Sequence, residues 1–330
     1  MHTHHINTLD QEWQILLNIN ANENTLLEKW VALAQQLKAA GYRYQTHHIT
    51  AIGEGTATAA RLCREGARHI IAAGGDGTIN EVVNGIFTSG VETRDVYLAI
   101  LPMGRGNDMV RTHQYPHDPN QCVSILQQGL FMKHDIGFVR VTEGDELVRE
   151  RHFINIAGFG FDGEVIHNVT YRPKKLPGLS VYMSGLITTL LKRKSPTVQI
   201  KAGDKVFQGK IFMTVGCICQ YNGSGMREAK MADPQDGLMD IIIVPDVNTL
   251  CVLWHLKDLK SGNHVDKMKQ VLHWQTQELT ITSTDRVYGE VEGEVLPYGD
   301  YHITLIPNAL NVLTNIKAPG IIAPQEPLAT

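Results

Sequence analysis

Three glycines within four residues, in Gly74-Gly75-Asp76-Gly77-Thr78, follow the apolar run His69 to Ala73 and precede a helical stretch from Asn80 to Phe87. Such a turn lets backbone N–H groups approach a ligand without a Cβ in the way. The helix start adds unpaired donors and partial positive charge. The chemistry it suits is the holding of a phosphate chain, with Thr78 capping the helix or bonding a phosphate oxygen and Asp76 holding a metal-bound water. The same residues would also serve as a plain strand-to-helix turn with a structural Asp. A second turn, Leu101-Pro102-Met103-Gly104-Arg105-Gly106-Asn107-Asp108, closes the next strand. Ligands of open parallel sheets sit at the carboxyl ends of strands, so the two turns are expected to converge on one crevice. Gly104 and Asn107 would be contacts there, and Arg105 would pair with a phosphate. No GxxxxGK[ST] occurs, which excludes a Walker-type ATPase. Gly158-Phe159-Gly160-Phe161-Asp162-Gly163 satisfies GxGxxG, but it lies among strands, and position 183, about 20 residues on, is Met where a dinucleotide site wants an acid. Its glycines are assigned to close packing or to a wall of the site.

The elements that position these turns alternate. Trp13 to Asn18 predicts a strand, Thr25 to Ala40 a helix, Tyr42 to Ile49 a strand, Thr56 to Gly66 a helix, His69 to Ala73 a strand, and Val96 to Leu101 another. Strands separated by helices imply a parallel sheet between helices, an α/β unit over residues 1–134. From Asp135 short strands dominate: Gly137 to Val141, His152 to Ala157, Val198 to Lys201, Lys210 to Val215, Met239 to Val244, Glu278 to Ser283 and Tyr301 to Ile306. Turns such as Glu143-Gly144-Asp145 and Ala202-Gly203-Asp204 separate them. Residues 135–330 are therefore expected to form an antiparallel β-sandwich with two inserted helices, Leu179 to Lys192 and Thr249 to Lys260, and a frayed tail after about residue 318.

Composition narrows the class. At 330 residues two domains are expected, and 43% hydrophobic with 19% charged residues can bury a core. A formal net charge of -4 argues against a nucleic-acid partner bound through bulk charge. No apolar run is long enough to span a bilayer, and the polar, His-rich start shows no secretory signal. Five cysteines, odd in number and irregularly spaced, fit a reduced cytoplasmic protein. Of the fifteen histidines, His2, His4 and His5 fall on an unstructured start and His47 and His48 on a strand, without acidic or Cys partners at ligand spacing. Cys217 and Cys219 read as small apolar filler.

Taken together, the motifs resemble the diacylglycerol kinase catalytic family, which includes bacterial lipid kinases and sphingosine kinases. The blocks are Gly74 to Glu81, Leu101 to Asp108, Asn155-Ile156-Ala157-Gly158-Phe159-Gly160-Phe161-Asp162, Asn222-Gly223-Ser224-Gly225-Met226, Ala232 to Asp240, and Glu292-Gly293-Glu294. The resemblance implies an ATP-binding α/β domain followed by a β-sandwich domain, with ATP in the cleft between them. It places the phosphates on Gly74, Gly75, Asp76, Gly77, Thr78 and Asn80, with Asn18, Thr50, Gly104, Arg105 and Asn107 as further contacts. It also implies a structural magnesium site at Asp233, Asp236 and the Leu238 carbonyl, hard oxygen ligands suited to that ion. Read without the resemblance, this stretch is a plain turn. The family's late Asp-Gly-Glu motif makes Glu294 the base that takes the lipid hydroxyl proton, with Glu292 and Asp76 beside it. Without the resemblance, Glu292 and Glu294 read as two same-face residues of a strand.

Three positions depart from the family pattern. Glu292 stands for its Asp, Arg105 for its Thr, and Asn18-Ile19-Asn20-Ala21-Asn22 for its Asn-Pro-x-Ser/Ala-Gly loop. The expected function is an ATP- and Mg2+-dependent transferase of phospholipid metabolism that phosphorylates a lipid hydroxyl, diacylglycerol first and a sphingoid base second. The alternatives are an NAD kinase-like enzyme, which shares the GGDGT turn, and a catalytically impaired nucleotide or lipid sensor. The basic residues Arg172, Lys174, Lys175, Lys192, Arg193 and Lys194 flank an apolar helix and are expected to meet anionic headgroups at the inner membrane face, a pattern that a packed helix with solvated ends also produces. A homodimer is left open.

Overall fold

The computed structural model describes residues 3–19, 23–104, 106–116, 118, 121–171 and 188–316. Strand β1 (Thr3–His5) precedes β2 (Glu12–Asn18), α1 (Glu23–Ala39), β3 (Arg43–Ile49), α2 (Glu54–Arg64), β4 (His69–Gly74), α3 (Asp76–Thr88), β5 (Tyr97–Pro102), α4 (Asp108–Thr112) and α5 (Cys122–Gln128). Strands β3, β2, β4 and β5 pair in that order, all parallel, because parallel neighbours require crossovers and the helices supply them. Their apolar runs bury Ile15, Leu16, Leu17, Ile70, Ile71 and Ile100, each worth about 1.5–3 kcal/mol of burial.

Two local departures matter. Helix α3 starts at Asp76, ahead of the expected Asn80. Gly75 caps it with extended backbone, and its carbonyl accepts from Thr78 N (2.9 Å) and Ile79 N (3.1 Å). The N–H groups of the glycine turn are thus the helix's own first turn. The expected unstructured start is instead β1, paired antiparallel with Leu130 to Met132, with the His4 ring 5.8 Å from that of Tyr97. Gly85 of α3 faces α2, where a Cβ would lie 2.4 Å from Thr56 O and 2.5 Å from Ala59 Cβ. Because backbone cannot yield cheaply, Gly85→Ala is expected to destabilise by about 1–3 kcal/mol, more than the helix propensity it gains, and to lower the calorimetric unfolding midpoint.

The second unit comprises β6 (Leu130–Glu143), β7 (Glu146–Phe153), β8 (Ile156–Gly160), α6 (Phe161–Tyr171), β9 (Thr197–Ala202), β10 (Lys205–Cys217), β11 (Tyr221–Asn222) and β12 (Met226–Arg227). It continues with β13 (Met239–Pro245), α7 (Thr249–Trp254), α8 (Leu256–Ser261), α9 (His264–Lys267), β14 (Leu272–Thr276), β15 (Glu278–Thr282), β16 (Gly289–Val291), β17 (Glu294–Leu296) and β18 (Asp300–Leu313). One sheet runs β14-β13-β10-β8-β16-β17 and the other β9-β15-β18-β6-β7, all antiparallel. Between them lie Val139, Phe153, Phe159, Ile200, Ile241 and Tyr301.

The expected strand His152 to Ala157 divides into β7 and β8, because the N–H groups of Ile154 and Asn155 turn to the Glu292 carboxylate instead of a neighbouring strand. The helix expected over Thr249 to Lys260 breaks at His255 (φ -95, ψ 9) into α7 and α8. Of the other expected helix, residues 188–192 are helical, and the rest lies outside the described residues, as does the tail after residue 318.

Strand β18 joins the two units. Its first half pairs with β15 and β6, and Asn311 and Val312 then pair in parallel with Tyr97 and Leu98 of β5. The strand changes course at an irregularity between Ile306 and Leu310, where Asn308 takes φ 51. Asp135 of β6, fully buried, holds this bend: its carboxylate accepts from Asn308 N (2.7 Å) and Gly237 N (2.8 Å). The 134/135 division falls inside β6.

Candidate active site

The glycine turns after β4 and β5 meet as neighbouring strand ends must. Gly74 O accepts from Met103 N (2.8 Å) and Gly104 N (3.2 Å). A Cβ on Gly104 would stand 2.4 Å from Gly75 Cα, and one on Gly74 would stand 2.3 Å from Thr78 Oγ1. Gly77, in contrast, has open space where its side chain would be, so the first turn of α3 presents bare N–H groups. Thr78 is buried and receives Asn18 Nδ2 at 2.9 Å. Asn107, at φ 49, donates from Nδ2 to Gly104 O (2.9 Å) and shapes the second turn. Asn18, Gly74, Gly75, Gly77, Thr78, Gly104 and Asn107 thus come together as expected of one crevice. Arg105 lies outside the described residues.

Beside this crevice is a cavity of about 160 Å³ lined by five carboxylates: Asp76, Asp108, Asp162, Glu290 and Glu292. Asn155, Asn222, Ser224 and Gly293 complete much of its wall. Asp76 Oδ1 accepts from Met109 N (3.3 Å), and burial with the nearby Asp108 charge raises its pKa. Asp108 accepts from Ser224 N (2.7 Å) and sits 3.4 Å from Arg111 Nε, yet burial holds its pKa up as well. The 222–226 loop can reach it because Gly223, Ser224 and Gly225 are all left-handed (φ 56, 68 and 100). Gly158 has no room for a Cβ, which would lie 2.2 Å from Asp162 Oδ2 and 2.8 Å from Glu290 Oε1. Burial raises the pKa of both Asp162 and Glu290; the Asp162 charge adds to the rise at Glu290, while the hydrogen bond from Glu290 works against it at Asp162. The Gly158 to Gly163 stretch is therefore packing and wall, as anticipated.

Glu292 and Gly293 are not part of a strand. They form the two-residue turn of the β16–β17 hairpin, with φ 54 and 78, the pair of positive values that a type I′ turn demands. The turn aims the Glu292 carboxylate inward, where Oε1 accepts from Asn155 N (2.7 Å) and Ile154 N (3.0 Å). Burial, with the Asp76 charge adding to it, pushes its pKa up to about 8. Glu294 begins β17 and is ion-paired at 2.6 Å with Arg151, its side chain 40% exposed.

Arg151, Asp162 and Glu290 were not among the residues expected at the site. Arg151 also donates to Asn80 Oδ1 from Nε (2.9 Å) and Nη2 (2.5 Å). Asn80 is fully buried and gives Nδ2 to His152 O (3.1 Å), so the structure places it under β7 and away from the phosphate turn. Arg151→Ala is expected to cost about 1.5–3 kcal/mol, since it strips a buried amide oxygen of a charged donor. Urea unfolding with an unchanged slope would measure it. Thr50 is engaged locally: its N–H and Oγ1 donate to Glu54 Oε2 at 2.7 and 3.0 Å. Glu81 pins the following loop to α3 by accepting from Gly53 N and Gly55 N, both at 2.8 Å.

Asp233, Asp236 and Leu238 form a separate loop at the β18 bend. Asp233 Oδ1 accepts from Gln235 N (3.2 Å) and Asp236 Oδ1 from Leu238 N (2.9 Å). Burial, then the charges of Asp240 and Asp233, holds the Asp236 pKa up. Burial, and to a smaller degree Asp236 and Asp233, pushes Asp135 to about 6. A loop with this surplus of negative oxygen fits a hard divalent cation. Of the basic residues named for a membrane surface, Arg172, Lys174 and Lys175 lie outside the described residues. Arg193 turns inward onto Asp246 (3.0 Å) and Val247 O, and Lys192 and Lys194 line an 870 Å³ groove with Lys210 and Arg286. No helix among the described residues is long and apolar enough to cross a membrane.

Residues 12–139 match the diacylglycerol kinase catalytic domain, and residues 155–314 match the YegS C-terminal NAD kinase beta sandwich-like domain. Diacylglycerol kinase of Bacillus subtilis is 27% identical over 284 residues, 85% of this chain and 89% of that one. Diacylglycerol kinase of Staphylococcus saprophyticus is 28% identical over 259 residues, 78% of this chain and 81% of that one. A crystal structure of a diacylglycerol kinase from Bacillus anthracis superposes with a TM-score of 0.68 at 17% identity, covering 92% and 97% of the two chains. Yeast NADH kinase complexed with NADH superposes with a TM-score of 0.50 at 9% identity, covering 91% of this chain and 82% of that one. These structures share the fold.

Proposed function

The chain belongs to the diacylglycerol kinase catalytic family, and on that premise we propose that it transfers the γ-phosphoryl group of ATP to a lipid hydroxyl, with diacylglycerol as the first substrate. One observation carries the reading: the paired glycine turns open beside a cavity lined by five carboxylates. Burial favours the protonated form of these carboxyls, and divalent cations carried on a polyphosphate would ionise them and be held by their oxygens. The N–H groups of the first turn of α3 hold the phosphate oxygens, with Thr78 and the Gly104 turn closing around them. Asp76 and Asp108 face the place where a nucleotide-bound cation would sit. Magnesium, when bound, neutralises charge on the phosphate oxygens, and Asp233, Asp236 and Leu238 would hold a second, structural ion.

Glu292 is the better proton acceptor for the lipid hydroxyl. It lines the cavity with a raised pKa, whereas the Glu294 carboxylate is engaged in the ion pair with Arg151. The Glu in place of the family's Asp therefore still delivers a carboxylate to the site, which favours an active enzyme over an impaired sensor. Substrate presentation at an anionic bilayer draws support from Lys192 and Lys194 and from the exposed Leu191, Leu250 and Trp254 near them.

The test is ATP consumption with Mg2+ against mixed micelles of diacylglycerol, a sphingoid base or phosphatidylglycerol, with Asp76→Ala as control. Diacylglycerol-dependent turnover that disappears in the variant is expected. Turnover on no lipid, by a protein that binds Mg·ATP, would overturn the proposal.

A further inference from the structure

Behind the active site, at the junction of the two units, three potential soft ligands converge: His113 just past α4, His134 in β6 and Cys219 just past β10. They are separated by up to 106 residues in the chain (219 minus 113). All three are fully buried, and the ligand atom that each offers lies within 4.8 Å of the others. His134 is already oriented as a ligand, and the Cys219 thiol, which donates to Ile154 O (3.5 Å), would give up that proton to bind an ion. His134 Nδ1 lies 2.5 Å from the Asp135 carbonyl and donates to it, which leaves the Nε2 lone pair facing Cys219 Sγ at 3.6 Å. A ring N–H given to a backbone carbonyl is the usual support of a metal-bound imidazole. With Zn–S near about 2.3 Å and Zn–N near about 2.0–2.1 Å, the edge between two ligands of a tetrahedral ion is about 3.5 Å, which matches the His134–Cys219 separation.

A second observation stands apart from the cluster's compactness. Neither ring nitrogen of His113 has a hydrogen-bond partner, although the residue has no exposed surface. An imidazole in that position leaves a lone pair uncompensated in a low-dielectric interior, a cost of about 1–3 kcal/mol. Stacked on His134 at 5.2 Å between centroids, it has one of those nitrogens within reach of the other two ligands.

We propose that His113, His134 and Cys219 bind a borderline-soft transition metal, zinc in the first instance, as a structural clamp between the two units. Two imidazoles and a thiolate select zinc and disfavour magnesium, whose ligands are oxygens. The clamp would act on the active site through α4. That helix carries Asp108 at its start and Thr112 at its end, and Thr112 Oγ1 already receives Gln220 N (2.9 Å), the neighbour of Cys219. Complete burial means that the ion enters as the units close on each other and does not exchange from the folded protein.

The full chain, produced in zinc-supplemented cells and again in cobalt-supplemented minimal medium, tests this, with Mg2+ in excess during purification. One zinc per chain is expected by elemental analysis. The cobalt form should show a thiolate-to-metal charge-transfer band, and the zinc form should unfold several degrees above protein refolded with chelator. Cys219→Ser and Cys219→Ala should both lose the band and the stoichiometric zinc, while Cys217→Ala, also buried but outside the cluster, keeps both. A folded wild-type chain without stoichiometric zinc or cobalt would overturn the assignment. So would metal content unchanged by either Cys219 substitution in a folded variant.

Discussion

Glu292→Gln is expected to lower phosphoryl transfer by about 10²–10⁴-fold, the usual contribution of a positioned general base, while Mg·ATP still binds. Glutamine retains an oxygen for the Ile154 and Asn155 amides, so the hairpin turn should persist. Glu294→Gln keeps an acceptor for Arg151 and should cost less than about tenfold. The wild-type rate should rise with pH as Glu292 ionises, toward a plateau above about 8. Stability should move the opposite way. A carboxyl whose pKa is higher folded than unfolded binds more protons in the native state, so stability is present below the unfolded value near 4.5 and is lost as pH rises toward about 8. Glu292→Gln removes this contribution, and the difference between wild type and variant in urea midpoints across pH 5 to 8 (about the window between the two pKa values) should isolate it. Arg151 lowers the Glu292 pKa, so Arg151→Ala should displace the rate profile to higher pH.

Gly104→Ala is expected to abolish nucleotide binding, with at least about a hundredfold loss of affinity and about 1–3 kcal/mol of stability from overpacking. Its Cβ would sit 2.4 Å from Gly75 Cα, so the strain falls on backbone that forms both turns. Gly77→Ala separates the two effects. Its Cβ meets nothing within 4 Å, and the position is helical. Alanine there should therefore stabilise the protein by up to about 1 kcal/mol while weakening phosphate binding by standing in the open face. Calorimetric titration with Mg·ATP, run beside thermal unfolding, distinguishes the two variants.

The phosphate turns were legible because their signals are local: three glycines between an apolar strand and a helix leave few structural alternatives. That β2 to β5 run parallel followed from alternation; their order, β3-β2-β4-β5, did not. The carboxylate wall was less legible, since Asp162 and Glu290 lie 128 positions apart (290 minus 162) and meet only through the pairing of β8 with β16. No spacing rule reports that. Glu292 and Glu294 looked like one face of a strand because Glu-Gly-Glu carries no turn signal as strong as Asn-Gly, and only the paired positive φ values expose the hairpin. Asn80, next to the glycine turn in sequence, points away from it because α3 had already begun at Asp76. His113 and His134, 21 positions apart in the chain (134 minus 113), drew no notice as a pair because only the fold stacks them together.

The central claim is that this cleft directs a phosphoryl group to a lipid. The direct measurement offers γ-labelled ATP and Mg2+ to the enzyme with diacylglycerol micelles and NAD present together, then separates organic-extractable from water-soluble label. Label that moves into the lipid phase, and not into NAD, is the predicted result, with Glu292→Gln reducing it to background. Label in the dinucleotide with none in the lipid would contradict the account.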